Sequence, residues 1–193
     1  MTEEEIKKQL EVKNKEIYIN KLNLDLNNNI DSLVLTIDNL LNKITEESIN
    51  YILGIAESFL EKDVIEKDIK DYFNDLHEAL MNYLDIKKKE IEKLITNNEN
   101  NFIEILKKEN DKLNNKLYNY YENNINNLNI KIQSYYNDPF CNERINNYLT
   151  NSLKEKLLDK INETIKSRDI ILINTFKETF RKYQELNKNT VGQ

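Results

Sequence analysis

The sequence predicts an all-α fold: an elongated antiparallel bundle of three to five long helices, joined by tight turns into coiled-coil hairpins. Apolar residues recur at spacings of three and four along nearly the whole chain, which is typical of amphipathic helices rather than strands. The 193 residues include two glycines and one proline, so few positions can interrupt a helix. Each apolar stripe is narrow, as in a coiled coil or a slender bundle.

Two segments that contain Asn or Thr are predicted to interrupt the first long apolar pattern. They are Asn27–Asn29 and Lys43–Thr45. Asn and Thr favour helix caps and turns over helix interiors, because their side chains bond to nearby backbone groups. The sequence therefore predicts one helix over residues 3–26 and one or two further helices between residues 30 and 62.

The first of these helices carries an apolar stripe on a highly charged segment. The stripe consists of Ile6, Leu10, Ile17 and Leu24. Charges of both signs accompany it, which favours a partner helix over a lipid surface. We expect residues 1–29 to be mobile or exchanged with a partner, and residues 30–193 to form the bundle. Both belong to one predicted domain, since no linker rich in Pro, Gly or Ser separates them.

Two capping-box spacings define the next two predicted helices. Asp63–Glu66 and Thr96–Glu99 each place an acceptor side chain three residues before a glutamate. At this spacing the two side chains can satisfy free backbone N–H groups at the start of a helix. Helices are accordingly predicted over residues 64–95 and 97–136.

The single proline gives the firmest predicted boundary. Pro139 disfavours helix at the residue before it and suits the first turn of a new helix, with Asp138 as the N-cap. The last helix is predicted over residues 140–187. It contains four consecutive apolar residues, Ile170–Ile173, which cover the full circumference of a helix. This turn is therefore predicted to be buried on all sides, in the core or against a partner.

Composition narrows the class of protein. The chain has 34 acidic residues, 28 basic residues and a formal net charge of −6, and only three of its basic residues are arginines. Phosphate contacts require clustered Lys and Arg, so nucleic acid is not an expected partner. The high Asn content is best explained by the codon usage of an AT-rich genome, with a functional Asn-rich segment as the less favoured explanation.

Residue types that carry catalysis or bind metals are scarce. One histidine, His77, and one cysteine, Cys141, exclude an intramolecular disulfide, a multi-cysteine metal site and a di-iron site within one chain. The two glycines, Gly54 and Gly192, are too few for a phosphate-binding glycine loop. The many carboxylates fall on charged helical surface, where ordinary solvation is expected. The sequence therefore predicts no catalytic residues, no metal site and no cofactor.

The amino-terminal sequence and the hydropathy of the chain predict a cytoplasmic protein. Met1–Gln9 is acidic and then basic, and no apolar stretch follows it that would serve as a secretion signal. The most apolar window, Ile49–Leu60, has about 12 residues, well short of the ~20 needed to cross a bilayer. A lone cysteine also fits a reducing compartment.

Tyrosines concentrate on both sides of the predicted turn at Pro139. Tyrosine adds large contact area at low entropic cost and is enriched at protein interfaces. Bias toward tyrosine in the whole chain is the competing explanation. The candidate interface residues are those expected near this turn and away from the core: Tyr118, Tyr120, Tyr136 and Phe140.

The predicted shape bears on the partners of the protein. A slender bundle buries a smaller fraction of its surface than a sphere of the same mass, so self-association as a homodimer is expected. The sequence predicts a non-enzymatic protein–protein interaction module that acts as a scaffold, adaptor, assembly factor or inhibitor through a long helical face. The alternative is a membrane-associating bundle of the curved coiled-coil or helical pore-forming type. A third possibility is an acidic helical mimic of nucleic acid, which requires carboxylates that track in a row.

Overall fold

The structure is a computed structural model that describes residues 1–56, 61–135 and 138–191. Every element in this part of the chain is helical, so the predicted all-α class is confirmed. The elements are α1 (Glu3–Ile55), α2 (Lys62–Thr96), α3 (Phe102–Gln133), α4 (Pro139–Asn147), a π-helical turn (Tyr148–Ser152) and α5 (Leu153–Val191). Because α4, the π turn and α5 follow one another without a gap, the described residues form four long helices.

Successive long helices run antiparallel, and each packs against two others. α1 contacts α2 and α5, and α3 also contacts α2 and α5, which gives a four-helix bundle two helices wide. The Cys141 thiol donates to the carbonyl of Ile55 at one end of the bundle (3.7 Å), and the Asn14 amide donates to Asn187 at the other (3.1 Å). The predicted elongated antiparallel bundle is confirmed.

α1 is one helix of 53 residues, about 80 Å long at a rise of ~1.5 Å per residue. Both predicted breaks in it are therefore wrong. At Asn27–Asn29, the Asn29 amide donates to the carbonyl of Arg168 on α5 (3.0 Å). At Lys43–Thr45, the Thr45 hydroxyl donates to a carbonyl of the preceding turn (2.6 Å). These side chains bond without displacing the helical backbone, so the apolar stripe keeps α1 packed through both segments.

The ends of α2 differ from the predicted capping boxes. Thr96 is the last residue of α2, and its hydroxyl donates to the carbonyl of Glu92 (2.9 Å) instead of capping the next helix. Asn98 adopts a left-handed conformation with φ of 56°, which asparagine tolerates better than most residues. α3 then begins at Phe102, several residues later than predicted. At the other end, α2 begins at Lys62 and its N-cap makes no side-chain hydrogen bond.

The predicted boundary at Pro139 is confirmed to within one residue. The Asp138 carboxylate accepts hydrogen bonds from the backbone N–H groups of Phe140 (3.0 Å) and Cys141 (3.4 Å). Pro139 lies in the first turn of α4. A capping acceptor and a proline at this position leave few free N–H groups, which is why the helix begins here.

In the part of the chain that the structure describes, the core consists of two apolar clusters, arranged one after the other along the bundle. The larger includes Leu33, Leu76, Leu128 and Ile161, and the smaller includes Tyr18, Leu26, Ile91 and Phe176. A polar layer separates them, in which Lys87 of α2 bonds to Asp169 of α5 at 2.5 Å. Glu109 and Asn110 of α3 are buried between the two clusters as well. Such a layer interrupts apolar packing and favours one register of the helices over others.

The π turn is buried against Tyr121 of α3. The Tyr121 hydroxyl donates to the carbonyl of Leu149 (2.6 Å), and the residue is fully buried. A π turn departs from the usual α-helical hydrogen-bond ladder, so this bond satisfies a backbone acceptor inside the core. Tyr72 packs edge-on against Tyr121 with ring centroids 6.1 Å apart, and its buried hydroxyl has no partner among the described residues.

Replacing Tyr121 with Phe is expected to lower the free energy of unfolding by about 1–3 kcal/mol, because the buried Leu149 carbonyl loses its donor. Tyr72→Phe is the matched control, since the hydroxyl that it removes bonds to no described atom. We expect Tyr72→Phe to leave the free energy of unfolding unchanged or to raise it. Urea titrations followed by circular dichroism measure both variants. Equal losses would contradict the role assigned to the Tyr121 hydroxyl.

α1 and α5 continue as a pair past the turn between α2 and α3. We call residues 3–14 of α1 and 184–191 of α5 the two-helix extension. Asn14 is buried within it against Asn187, whereas residues 1–13 are all exposed. Among the described residues, each helix of the extension therefore has one neighbouring helix instead of two.

Candidate functional site

The predicted aromatic interface residues do not form one surface. Tyr118 of α3 is 47% exposed, whereas Tyr120 is half-buried in a groove shared with α2. Phe140 is 67% exposed at the start of α4, with the Arg144 guanidinium 5.9 Å from its ring centre. Tyr136 lies outside the described residues. The structure therefore places the three described side chains at three separate sites.

Tyr118 borders a polar groove between α3 and α5, beside the π turn. The groove has a volume of about 600 Å³, and much of its lining is asparagine and acidic side chains. Lys154 lies with its Nζ 4.2 Å from the Tyr118 ring centre and 3.2 Å from the Tyr118 hydroxyl, and it also contacts the Glu122 carboxylate. The bond to Glu122 raises the pKa of Lys154. The ammonium group of Lys154, which lines this groove, is therefore already paired with side chains of the protein itself.

Four large aliphatic side chains form an exposed stripe on the N-terminal part of α1. They are Ile6, Leu10, Ile17 and Leu24, which are 46%, 44%, 52% and 52% exposed. At ~100° per residue they lie within about 40° of one another around the helix. We call this stripe the α1 seam. Leu22 and Leu26 are buried on another face of the same helix, so α1 has one buried and one exposed apolar face here.

A groove between α1 and α5 runs beside the α1 seam. It has a volume of about 260 Å³, and its lining includes Ile17 and Tyr18 of α1 with Tyr183 and Leu186 of α5. The Tyr18 ring stacks on the Tyr183 ring with centroids 4.4 Å apart, and Leu186 is 39% exposed. α5 thus adds apolar surface to the seam, and the groove between two helices has the shape that accepts a third.

Polar contacts hold α1 against α5 on both sides of this groove. The buried Asp25 carboxylate accepts hydrogen bonds from Lys21 Nζ (2.6 Å) and from the Thr179 hydroxyl (2.7 Å). Toward the other end, the Asn14 amide donates to Asn187 (3.1 Å). Because the two helices are joined above and below Tyr18, the shape of the groove is set by the protein alone, which lowers the entropic cost of binding a partner.

The border of the seam and groove is basic. It includes four lysines: Lys7, Lys13, Lys21 and Lys182. On the adjacent surface of α5, Glu178 and Glu185 each bond to Arg181 at 2.6 Å. The Arg181 guanidinium holds the pKa of Glu178 below its ordinary value. Two exposed acids of α1 also lie near the seam, Glu3 three residues before Ile6 and Glu16 next to Ile17. This local excess of lysine contrasts with the net charge of −6 of the chain.

A second groove lies on the other flank of the bundle at this end, below the turn between α2 and α3. It has a volume of about 250 Å³ and a largely aromatic lining that includes Tyr18, Phe102, Phe176 and Phe180. The Phe102 and Phe176 rings pack with centroids 4.8 Å apart, whereas Phe180 is 39% exposed. Tyr18 and Phe176 belong to the smaller core cluster and Phe102 packs against it, so these rings cover the end of the core.

Ile170–Ile173 is not buried on all sides within the bundle, so the first of the two predicted forms of burial is wrong, and burial against a partner stays a prediction. Leu172 enters the core with 1% exposure, whereas Ile170 and Ile171 are 61% and 47% exposed. α5 is an outer helix of a bundle two helices wide, so a full turn of it cannot meet other helices. The two isoleucines add to the exposed apolar surface of α5.

The single histidine and the single cysteine both make contacts between helices. His77 contacts the Asp38 carboxylate of α1, and the Cys141 thiol donates to the carbonyl of Ile55. Burial raises the pKa of the Cys141 thiol, and the Asp138 carboxylate raises it further, so the sulfur is a thiol at neutral pH. In the part of the chain that the structure describes, no group of three or more His, Cys, Asp or Glu residues is arranged to hold a metal ion.

Comparison with known proteins adds no functional assignment. No family model, no curated protein and no solved structure matches the chain. None of the described helices combines the length and apolar composition needed to cross a membrane. The exposed surfaces are therefore the basis for assigning a function.

Proposed function

We propose that this protein is a non-enzymatic protein–protein interaction module whose binding surface is the α1 seam. One observation carries the proposal: four aliphatic side chains at helix-pairing spacing are about half exposed along one face of α1, and near Leu24 this face lies opposite the buried Leu22 and Leu26. Apolar side chains separated by four and seven residues pack between the side chains of a facing helix. A scaffold, an adaptor, an assembly factor or an inhibitor can act through such a surface.

A second copy of the chain is one partner that the seam would accept. Each helix of the two-helix extension has one neighbour among the described residues, and pairing two extensions would complete a four-helix cross-section. We therefore include homodimer formation as the less favoured form of the proposed function, because two facing seams would bring their lysines together. The proposed compartment is the cytoplasm, because a chain with one cysteine gains no internal disulfide from an oxidising environment.

The lysines that border the seam favour membrane association as the second candidate function. A helix with an apolar face and lysines beside it attracts anionic headgroups. The concave groove between α1 and α5 argues for the first candidate, since a groove accepts a helix and a bilayer surface is flat on this scale. We therefore place helix binding first.

A photo-crosslinking amino acid at Ile17 is expected to form adducts with another polypeptide in cells that make the protein, because Ile17 lies within the seam. Val12 is the matched control, since it is 60% exposed on the same helix but about 140° away around the axis. Mass spectrometry of the adducts separates a second copy of the chain from a different protein, and either supports the proposed function. Equal adducts at both positions, or adducts with lipid alone at Ile17, would contradict it.

A further inference from the structure

We infer that the partner of the α1 seam is an amphipathic helix whose apolar face is bordered by acidic residues. This inference rests on the proposed function of the same surface and adds the chemistry of its partner. The groove between α1 and α5 supplies the apolar contact, and the lysines around it select the charge of the occupant.

The lysines beside the seam and groove differ in whether an acidic side chain of the protein pairs with them. Lys21 is bonded to Asp25, whereas Lys13 and Lys182 form no direct ion pair with the described residues. Lys182 lies near Glu178 and lowers the pKa of that carboxyl, whose direct partner is Arg181. Lys182 lines the groove itself, and Lys13 lies between Leu10 and Ile17 along the exposed side of α1. A helix with acidic borders would place carboxylates beside these ammonium groups, which raises the association rate and disfavours partners with basic borders.

The size of the surface fits a helix of about five turns. The seam extends from Ile6 to Leu24, about 27 Å along the helix axis. A docked helix is itself about 10 Å wide, so it can lie in the groove and contact both α1 and α5 along this length. An interface made by one helix is of the small, weak or transient kind. The length of the seam therefore matches a single docked helix.

The test uses the full chain and two synthetic peptides of about 21 residues, three heptads long, with leucine at the core positions. One peptide carries glutamate at the positions beside the apolar face and the other carries lysine. Each peptide repels its own copies through these like charges, so both remain available as monomers. Fluorescence anisotropy of labelled peptides measures binding at low and high salt.

We expect the glutamate peptide to bind at least about tenfold more tightly than the lysine peptide at low salt, and the gap to narrow as salt screens the charges. Reversing the charge in Lys13→Glu/Lys182→Glu is expected to reverse the preference. Lys8→Glu is the matched control, because Lys8 is exposed on the far side of α1 from the seam. We expect this substitution to leave the preference unchanged. Equal binding of the two peptides, or a preference that survives the reversal, overturns the inference.

Two further measurements separate failure of the inference from failure of the proposed function. Leu10→Asn/Ile17→Asn removes apolar side chains from the seam, and we expect it to abolish binding of both peptides. If both peptides bind through the seam with equal affinity, the proposed function stands and the inference of an acidic partner is wrong. If no peptide binding depends on the seam, the proposed function and the inference are both wrong. If the protein binds phosphatidylserine vesicles through the seam and binds neither peptide, the lysines recognise lipid headgroups. That result would overturn both the inference and the proposed function.

Discussion

Ile161→Asp is expected to unfold the protein. Ile161 is fully buried in the larger core cluster, on the last long helix. An aspartate there must either remain charged in an apolar environment or take up a proton, and either form leaves polar atoms without partners. The expected loss is above about 4 kcal/mol, which is comparable to the whole stability of many domains. Circular dichroism at neutral pH would show the loss of helix directly.

Ile170→Asp is the control for this experiment, because it makes the same change on the same helix. Ile170 is 61% exposed, so the new carboxylate is solvated. We expect the free energy of unfolding to change by no more than about 0.5 kcal/mol. If the two variants lose similar stability, or if Ile161→Asp remains folded with a small loss, the proposed division of α5 into a buried and an exposed face is wrong.

The buried face of each helix could be predicted because spacing alone determines which residues share a face. Leu128 and Ile161 belong to apolar stripes visible in the sequence, and both are buried in the structure. The helix boundary at Pro139 could also be predicted, since a proline restricts its own backbone and that of the residue before it. These features depend on neighbours in the chain and not on distant contacts.

The breaks in α1 could not be predicted correctly from local preferences. Asn27–Asn29 is unfavourable in an isolated helix, yet the Asn29 amide bonds to Arg168, a residue far away in the sequence. Tertiary contacts of this kind override weak local propensities. For Ile170–Ile173 the prediction of burial in the core is wrong, because full burial of a turn needs helices on all sides and the bundle supplies them on two.

The candidate site was partly visible in the sequence. The stripe of Ile6, Leu10, Ile17 and Leu24 follows from spacing on one helix, but the groove beside it also needs Leu186 and Lys182 from the other end of the chain. That pairing depends on the register of α1 against α5, which the sequence does not specify locally. The tyrosine cluster near Pro139 was a compositional signal, and closeness in sequence did not place Tyr118 and Tyr120 on one face of α3.

Lys87→Met is expected to lower the free energy of unfolding by about 3–5 kcal/mol at neutral pH. Lys87 and Asp169 bond at 2.5 Å with side chains 4% and 10% exposed, so removing the lysine leaves a buried carboxylate without its counter-ion. The comparison is Lys89→Met on the same helix, whose partner Asp85 lies 2.9 Å away in an exposed pair. We expect that variant to change the free energy of unfolding by less than about 1 kcal/mol.

The loss in Lys87→Met is expected to depend on pH in a defined direction. Burial raises the pKa of Asp169 above its ordinary value, while Lys87 lowers it, so removing Lys87 raises the pKa further. The folded variant then binds a proton more tightly than the unfolded chain does. Its stability is greatest below the unfolded pKa of about 3.9 and declines as the pH rises through the folded pKa. The difference between variant and wild type should therefore grow between about pH 4 and pH 7.

Chemical denaturation at several pH values tests this direction, with the wild-type protein measured in parallel. Glu109 is buried in the same polar layer of both proteins, so the difference between them chiefly reports Asp169. The double variant Lys87→Met/Asp169→Leu removes both charges and is expected to recover most of the lost stability, because an apolar pair needs no counter-ion. A loss in Lys87→Met that is independent of pH and persists in the double variant would mean that the lysine acts through its packing. The polar layer would then not depend on the ion pair.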